Sequence, residues 1–426
     1  MSLLLVGGLV LAGGYIFSQI CGDSSSRSTP PSAPAPRPNT PPSHPQNQKQ
    51  NRMKTVCSPA APSPHAAAPS SAPQAGGWFA QCGTGDRAAS GSVTLYDPSG
   101  NPLQLGEKEE FASGGEGTVY RCPQNPRLLI KVYQKRILDN PVKREALERR
   151  LRDMIGIQEI KQNDAFAWPL MLVYDKDRRI AGFVMRSVRG TSLMALQGQQ
   201  QIARFFPTWN RKDLALVAED FLEKVRLLVR HGILVNDFNP RNFIVGKDHR
   251  VRFIDCDSFQ IPASKGGAPH IATSYFGSHA APELLLHPEM LNTPRGEEQA
   301  RFSAAIVVFQ LLMCGLHPYN HRNGGTPENN LKSGKCPLGQ GSGAMLPVGW
   351  YNLVSYLPYT LMNVFVRMFR DGHGNPSARP KLSELLGEVR KFLFVMNKDP
   401  VRCELNPSAP KPKSKTGPDF SEKDVA

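Results

Sequence analysis

The sequence predicts an α+β fold of two lobes, a small β-rich one over residues 92–190 and a larger helical one over 191–400. Three observations predict it. Short apolar runs separated by turn residues fill the first stretch, with one helical segment among them. Apolar positions stepping by three or four dominate the second. Inside the second stretch, Asp237, Asn242 and Asp255 stand in apolar surroundings, where polar groups are costly unless they have partners or a task.

Size and composition frame this. At 426 residues and 40% hydrophobic content, the chain holds two to three domains or one large catalytic unit with tails. The formal charge is +15. Such an excess attracts nucleotide, anionic lipid or acidic protein, or is simply a solvated basic surface. There is no basic–aromatic interleaving and no finger spacing, so nucleic acid is not an expected partner. The eight cysteines are scattered without a C-x-x-C pair. That argues against a zinc ribbon or a disulfide framework and suits a reducing compartment.

Residues 1–20 carry no charged side chain, and the apolar run from Leu3 to Ile20 is at the short end for crossing a bilayer. A single transmembrane anchor is expected. A cleaved signal would want a basic leading region and a small-residue cleavage site. A lipoprotein signal would want small residues before Cys21, where Ser18-Gln19-Ile20 stands. No Lys or Arg precedes the run, and Arg27, Arg37, Lys49, Arg52 and Lys54 follow it, which puts the bulk of the chain in the cytoplasm. Residues 21–91 are rich in Pro, Ala and Ser and bury too little apolar surface to offset ordering, so they read as a disordered linker. Their serines and threonines are either phosphoacceptors or parts of an inert spacer.

Val93–Tyr96 and Leu103–Leu105 flank Asp97-Pro98-Ser99-Gly100-Asn101, a hairpin pattern. Next, Gly114-Gly115-Glu116-Gly117-Thr118-Val119 sits between two strands. Such a loop lets backbone approach phosphates, although a plain hairpin turn looks alike. The run 128–133 carries Lys131, whose charge asks for a carboxylate or a phosphate. A helix follows over 140–155, opened by Asn140-Pro141. It carries Glu145 and Glu148, either of which can pair with Lys131, and Glu148 is preferred. Strands at 170–174 and 180–185 close the small lobe. Leu214, Val217, Phe221, Val225 and Leu228 mark an amphipathic helix over 212–231. The run 302–316 is uncharged and apolar nearly all round, as a buried core helix is. Further helices are expected over 357–369 and 382–395, and a disordered tail over 401–426.

These parts, in this order, resemble the eukaryotic-like protein-kinase superfamily over about residues 93–398. Within it, Asp237-Phe238-Asn239-Pro240-Arg241-Asn242 with Ile254-Asp255-Cys256-Asp257 is closest to a divergent bacterial group with an Asp-x-Asn-x-x-Asn catalytic loop. The resemblance implies a small β-rich lobe and a larger helical lobe, with ATP and Mg²⁺ between them. It gives Gly114, Gly115, Gly117 and Val119 to the phosphate-covering loop, and Lys131 to the α/β-phosphates with Glu148 holding it. It gives Met185, Val188 and Ile244 to the nucleotide pocket. Asp237 becomes the catalytic Asp, Asn242 and Asp255 the magnesium ligands, and Glu283 with Arg379 a structural ion pair.

Departures from the pattern carry expectations of their own. Ala112 replaces the first loop Gly, and Leu129 replaces a usual Ala beside the adenine. Val235-Asn236 replaces His-Arg, so activity is not expected to depend on a phosphorylated activation segment. Asn239 stands where a Lys usually steadies the γ-phosphate, which implies slow turnover. Cys256 is either a redox switch or a packing residue, and Asp257 adds an acid near the metals. The implied activity is a membrane-anchored protein Ser/Thr kinase of unknown substrate, with autophosphorylation of the linker or activation segment possible. The alternatives are a pseudokinase scaffold and a small-molecule kinase.

Overall fold

Strand side chains alternate between two faces, and in the small lobe each face meets its own core. The computed structural model describes residues 92–411 apart from 265, 323 and 339–344. The predicted anchor (1–20), the linker (21–91) and residues 412–426 lie outside the described residues. Among the described residues no helix is long and apolar enough to cross a membrane.

The small lobe contains β1 (Val93–Tyr96), β2 (Pro102–Leu105), β3 (Glu110–Ser113), β4 (Gly117–Arg121), β5 (Leu128–Tyr133), β6 (Met171–Tyr174) and β7 (Ile180–Arg186). They form one antiparallel sheet in the order β2-β1-β6-β7-β5-β4-β3. On one face Leu128, Ile130 and Val184 pack with Leu95, Leu103 and Leu105. On the other, Leu129, Tyr133, Phe183 and Met185 join the large core shared with the helical lobe. Lys131 shares this second face, opposite Val119 on β4 and Phe183 on β7.

Helix α1 (Pro141–Gly156) starts where Asn140 accepts a hydrogen bond from the Lys143 amide, with Pro141 at the first helical position. Its buried residues are Leu151 and Met154. The helical lobe opens with β8 (Thr191–Ser192). Helix α2 (Arg211–Arg230) follows, capped reciprocally by Asn210 and Asp213. Then come β9 (Phe243–Val245) and β10 (Val251–Phe253), which pair with each other, and β8 pairs with β9.

Helix α3 (Glu297–Leu312) is buried through its middle, as its charge-free pattern requires, but it lies earlier than the predicted 302–316. Its start is fixed by Gln299, whose side chain accepts from the Gly296 amide at 2.9 Å. Its end is fixed by left-handed residues at Cys314 and Gly315. A Cβ at Gly315 would lie 2.4 Å from the Gln197 Cα, so close backbone contact requires glycine there. Helices α4 (Tyr359–Val366) and α5 (Leu382–Met396) complete the lobe.

The predicted tail begins too early. Residues 400–411 dock on the helical lobe: the buried Arg402 donates to the Tyr356 carbonyl and binds Asp399 at 2.9 Å. Gln199 and Asn352 donate to the Leu405 and Pro407 carbonyls. Pro and Lys content signalled disorder, while the anchoring groups were single residues that no composition window detects.

Two buried histidines in this lobe make stability pH-dependent. His279 donates to the Gln310 side chain at 2.7 Å, and His317 donates to the Ser278 carbonyl at 2.7 Å while accepting from the Tyr319 amide. Burial pushes His279 down to about 4; burial, with His279 nearby, pushes His317 down to about 3. Unfolded, each takes a proton near pH 6.5. Their contribution is therefore full above pH 6.5 and is lost as pH falls through 6.5 toward 4, because the unfolded chain binds protons that the folded one refuses. Denaturant titrations at pH 7.5 and pH 5 are expected to differ by about 4 kcal/mol from this pair. His279→Gln should remove about half of that difference.

Candidate active site

The polar groups singled out in the sequence converge because two strands bring them together. Asn242 immediately precedes β9, and Asp255 lies just beyond β10. The hairpin pairs Phe243 with Phe253, and the Ile254 amide donates to the Asn242 carbonyl at 2.9 Å. Thus Asn242 and Asp255, thirteen apart in sequence, are held at the same end of the hairpin. The hairpin rests on a cluster of buried rings: Phe253 stacks on Phe221 of α2 at 5.7 Å and meets Phe243 and Phe166 edge-on or tilted at 4.9 and 5.4 Å. Phe238 joins the same cluster. Alternate residues of the loop are thus buried as anchors while Asp237 and Asn242 project from it.

Asp237 accepts hydrogen bonds from the Asn242 side chain at 3.3 Å and the Asn239 amide at 3.2 Å. Burial, and next the charge of Asp255, raise its pKa to about 6. A base poised there is mostly ionised at neutral pH yet basic enough to accept a proton. Asn239 caps the turn Pro240–Asn242, its side-chain oxygen accepting from the Arg241 amide at 3.1 Å. Its amide group is the part left to reach a phosphate.

Asp255 adopts a left-handed backbone, φ +56°. Such a conformation in a non-glycine residue costs energy and persists where surrounding contacts enforce it. Here Ser258 donates from its hydroxyl to the Asp255 carbonyl at 2.7 Å. Cys256 is wholly buried, and burial pushes its thiol well above the usual range, so it is a packing residue and not a redox switch.

Lys131 is buried and surrounded by acids. Its ammonium donates to Asp257 at 2.7 Å, Asp255 at 3.0 Å and Glu116 at 3.3 Å. Burial alone would lower its pKa, but Asp255 and Asp257 more than offset this and hold it well above the ordinary value. Asp257 also accepts from the Tyr133 hydroxyl at 2.6 Å. Burial pushes the Asp257 carboxyl up, yet the charge and hydrogen bond of Lys131, helped by Tyr133 and Arg150, bring it below the usual range.

The expected partner of Lys131 is not among these. Glu148 pairs with Arg152 at 2.5 Å, and Glu145 with Arg149 at 3.3 Å, both one turn apart along α1 and on its exposed side. The inward positions of α1 are Leu151 and Met154, with Arg150 reaching past them. Arg150 donates to the Phe259 and Ile271 carbonyls, and Asp153 accepts from the Ser264 amide and meets His270 at 2.7 Å. Helix α1 therefore grips the segment after Asp255 and presents a cation, not a carboxylate, toward the acids.

The glycine-rich turn is a tight hairpin. The Gly114 amide donates to the Gly117 carbonyl at 2.9 Å, and a Cβ at Gly117 would lie 2.3 Å from the Val132 carbonyl oxygen. Gln134 and Arg136 hold the Gly114 and Gly115 carbonyls from below. Val119 lies opposite Lys131, and Met185 opposite Leu129. Val188 is partly buried against the large core, and Ile244 is buried in β9.

Arg379 binds Glu283 through both terminal nitrogens, at 2.8 and 2.7 Å. Asn236 donates to the Ala272 carbonyl at 2.9 Å, tying the loop at 236–242 to the segment that follows Asp255. Sequence reasoning missed Glu116, Tyr133 and Arg150. Glu116 is embedded in a glycine motif read for its backbone, and Arg150 is hidden among neighbouring charges.

Carboxylate oxygens of Glu116, Asp255 and Asp257 lie within 4.8 Å of one another; Asn242 is not in that cluster. The acidic cluster carries the hard oxygen donors that a divalent cation takes, and each of its three carboxylates also contacts Lys131, Asp257 being the one held by Tyr133 as well.

No protein-family profile matches the chain. It is similar to the protein kinase YegI of Escherichia coli, strain K12, with 27% identity over 231 residues, covering 54% of this chain and 34% of that protein. It is similar to the probable serine/threonine-protein kinase irlD of Dictyostelium discoideum, 23% identical over 54% of this chain and 16% of that protein. It is also similar to calcium-dependent protein kinase 8 of rice, 25% identical over 54% of this chain and 40% of that protein. The chain spans about a third of the length of the Escherichia coli relative. These likenesses are to proteins named as protein kinases, each over about half of this chain, and the mixed α+β architecture fits a kinase-like fold.

Proposed function

We propose that this chain is an ATP-dependent protein serine/threonine kinase, tethered to the membrane by residues 1–20 with its two lobes in the cytoplasm. The observation that carries the reading is the convergence of four groups. Lys131 contacts Asp255, and Asp237 contacts Asn242, on the two sides of one hairpin-built site.

The chemistry divides among residues already described. Gly114, Gly115 and Gly117 offer a turn under which phosphates pass, and Val119, Met185, Val188 and Ile244 offer apolar contact to a base. Lys131 orients the α/β-phosphates. Asn242 and Asp255 would hold Mg²⁺, which when bound neutralises charge on the phosphates. Asp237 aligns the acceptor hydroxyl and takes its proton as the oxygen attacks the γ-phosphorus, whose bond to the bridging oxygen breaks so that ADP leaves with that electron pair. Asn239 brings only a neutral donor to the γ-phosphate, so turnover is slow. Positioning and electrostatics do the work, as phosphoryl transfer requires.

Full-length protein with γ-labelled ATP and Mg²⁺ tests this. Label appearing on serine or threonine of the protein itself or of a generic acceptor supports the proposal. Label only on small hydroxyl compounds would point to a small-molecule kinase. A second reading, a nucleotide-binding pseudokinase, is favoured by Glu116, whose carboxylate competes with phosphate for Lys131. It predicts ATP-dependent thermal stabilisation without transfer.

Asn236 bears on regulation. A neutral amide already ties the loop to Ala272, where a phosphate-binding Arg would otherwise wait for modification. Phosphatase treatment of the pure protein is expected to leave at least about half of the transfer rate, an effect of under ~0.5 kcal/mol. Complete loss would contradict the reading.

A further inference from the structure

Lys131 has three acidic partners, and burial separates them. The Asp257 side chain is 3% exposed, against 41% for Asp255 and 56% for Glu116. The two exposed carboxylates can give up Lys131 to phosphates and turn to a cation. Asp257 has nowhere to go. Its second contact, the Tyr133 hydroxyl at 2.6 Å, comes from the same strand as Lys131, two residues on. Residues two apart on a strand share a face, so Lys131 and Tyr133 form a clamp around one carboxylate.

Helix α1 cannot supply an equivalent. An α-helix turns about 100° per residue, so with Leu151 and Met154 buried Glu148 lies at the flank of that face, where it pairs with Arg152, which also donates to the Tyr174 hydroxyl. Rotating α1 to bring Glu148 inward would break the contacts of Arg150 and Asp153 with the segment at 259–271.

We propose that Asp257, braced by Tyr133, is the positioning residue for Lys131, in the place that the resemblance gave to Glu148. The anchor then lies two residues beyond the magnesium-binding Asp255, on the metal loop itself. Lysine placement is coupled to that loop and to β5, not to movement of α1. The proposal rests on the kinase reading above, so its test reads ATP binding as well as transfer.

The experiment uses the full chain and titrates ATP with Mg²⁺ by calorimetry, with circular dichroism to check folding. Asp257→Asn keeps the size and an acceptor for Tyr133 while removing the charge. It is expected to weaken ATP about tenfold and to raise KM for ATP more than it lowers kcat. Tyr133→Phe should weaken ATP about threefold, and Glu148→Gln should leave affinity unchanged. In a Lys131→Met background, Asp257→Asn should have no further effect, which a general structural role would not produce. If Asp257→Asn fails to fold, Tyr133→Phe carries the test in the same background. The proposal is overturned if Glu148→Gln weakens ATP as much as the Asp257 or Tyr133 change, or if those changes leave affinity intact. An undiminished loss in the Lys131→Met background overturns it too. Wild-type protein that binds ATP but transfers nothing sinks the transferase reading alone; wild type that binds no ATP overturns both.

Discussion

Asp237→Asn is expected to lower phosphate transfer about a thousandfold while ATP affinity changes less than about threefold. A thousandfold corresponds to ~4 kcal/mol of transition-state stabilisation. Asp237 touches Asn242 and the Asn239 amide, and in the proposed function its carboxylate serves the acceptor hydroxyl. Asparagine preserves the shape but cannot take the hydroxyl proton. Asp255→Asn should behave differently. It removes one of the carboxylates around Lys131 and the charged member of the cation pair, so transfer and magnesium-dependent ATP binding fall together. Comparing the two variants by single-turnover labelling and by ATP titration separates proton handling from metal holding. The pH profile adds a signature. With Asp237 at about 6, transfer should decline below that pH as the base is protonated, and this limb should vanish in Asp237→Asn. Equal loss of ATP affinity in both variants would contradict the division of roles.

The reason these two aspartates are visible in sequence is local. Asp237, Asn242 and Asp255 lie within one hairpin and its approach, so spacing alone nearly dictates their proximity. The alternation of Leu128 to Tyr133 likewise announces a strand with Lys131 on a defined face. The partner of Lys131 was not legible, because it depends on the rotational phase of a helix. Around residues 144–152 charged residues outnumber apolar ones, and either Glu could have been drawn inward. Only packing shows that Leu151 and Met154 set the phase and that Arg150 is the polar residue reaching the active-site side. In sequence Asp257 is only an additional acid beside Asp255; its bond to Tyr133 requires a contact across more than a hundred residues. Docking of 400–411 was missed for the same reason, since Arg402 finds its carbonyl only after the helices assemble.

Arg379→Ala is expected to destabilise the helical lobe by about 3–5 kcal/mol, the usual consequence of leaving a buried charge without its partner. The Arg379 side chain is 0% exposed and Glu283 14%. Besides both Glu283 oxygens, the guanidinium donates to the Gly372 carbonyl at 2.8 Å and the Glu298 carbonyl at 3.1 Å. It also lies over the Phe302 ring at 4.8 Å. One side chain thus joins the short helix after Ala281, the start of α3 and the turn before α5. Arg379→Lys keeps the charge but cannot span those directions with one planar group, so it should recover less than half of the loss. Pairing each change with Glu283→Gln in a double-mutant cycle, read by denaturant midpoint, should give a coupling of about 2–3 kcal/mol. The remainder belongs to the two carbonyls and the ring, which Glu283→Gln leaves in place. A coupling near zero would mean that Arg379 acts as a backbone cap and that Glu283 contributes nothing to holding the segment ahead of α3.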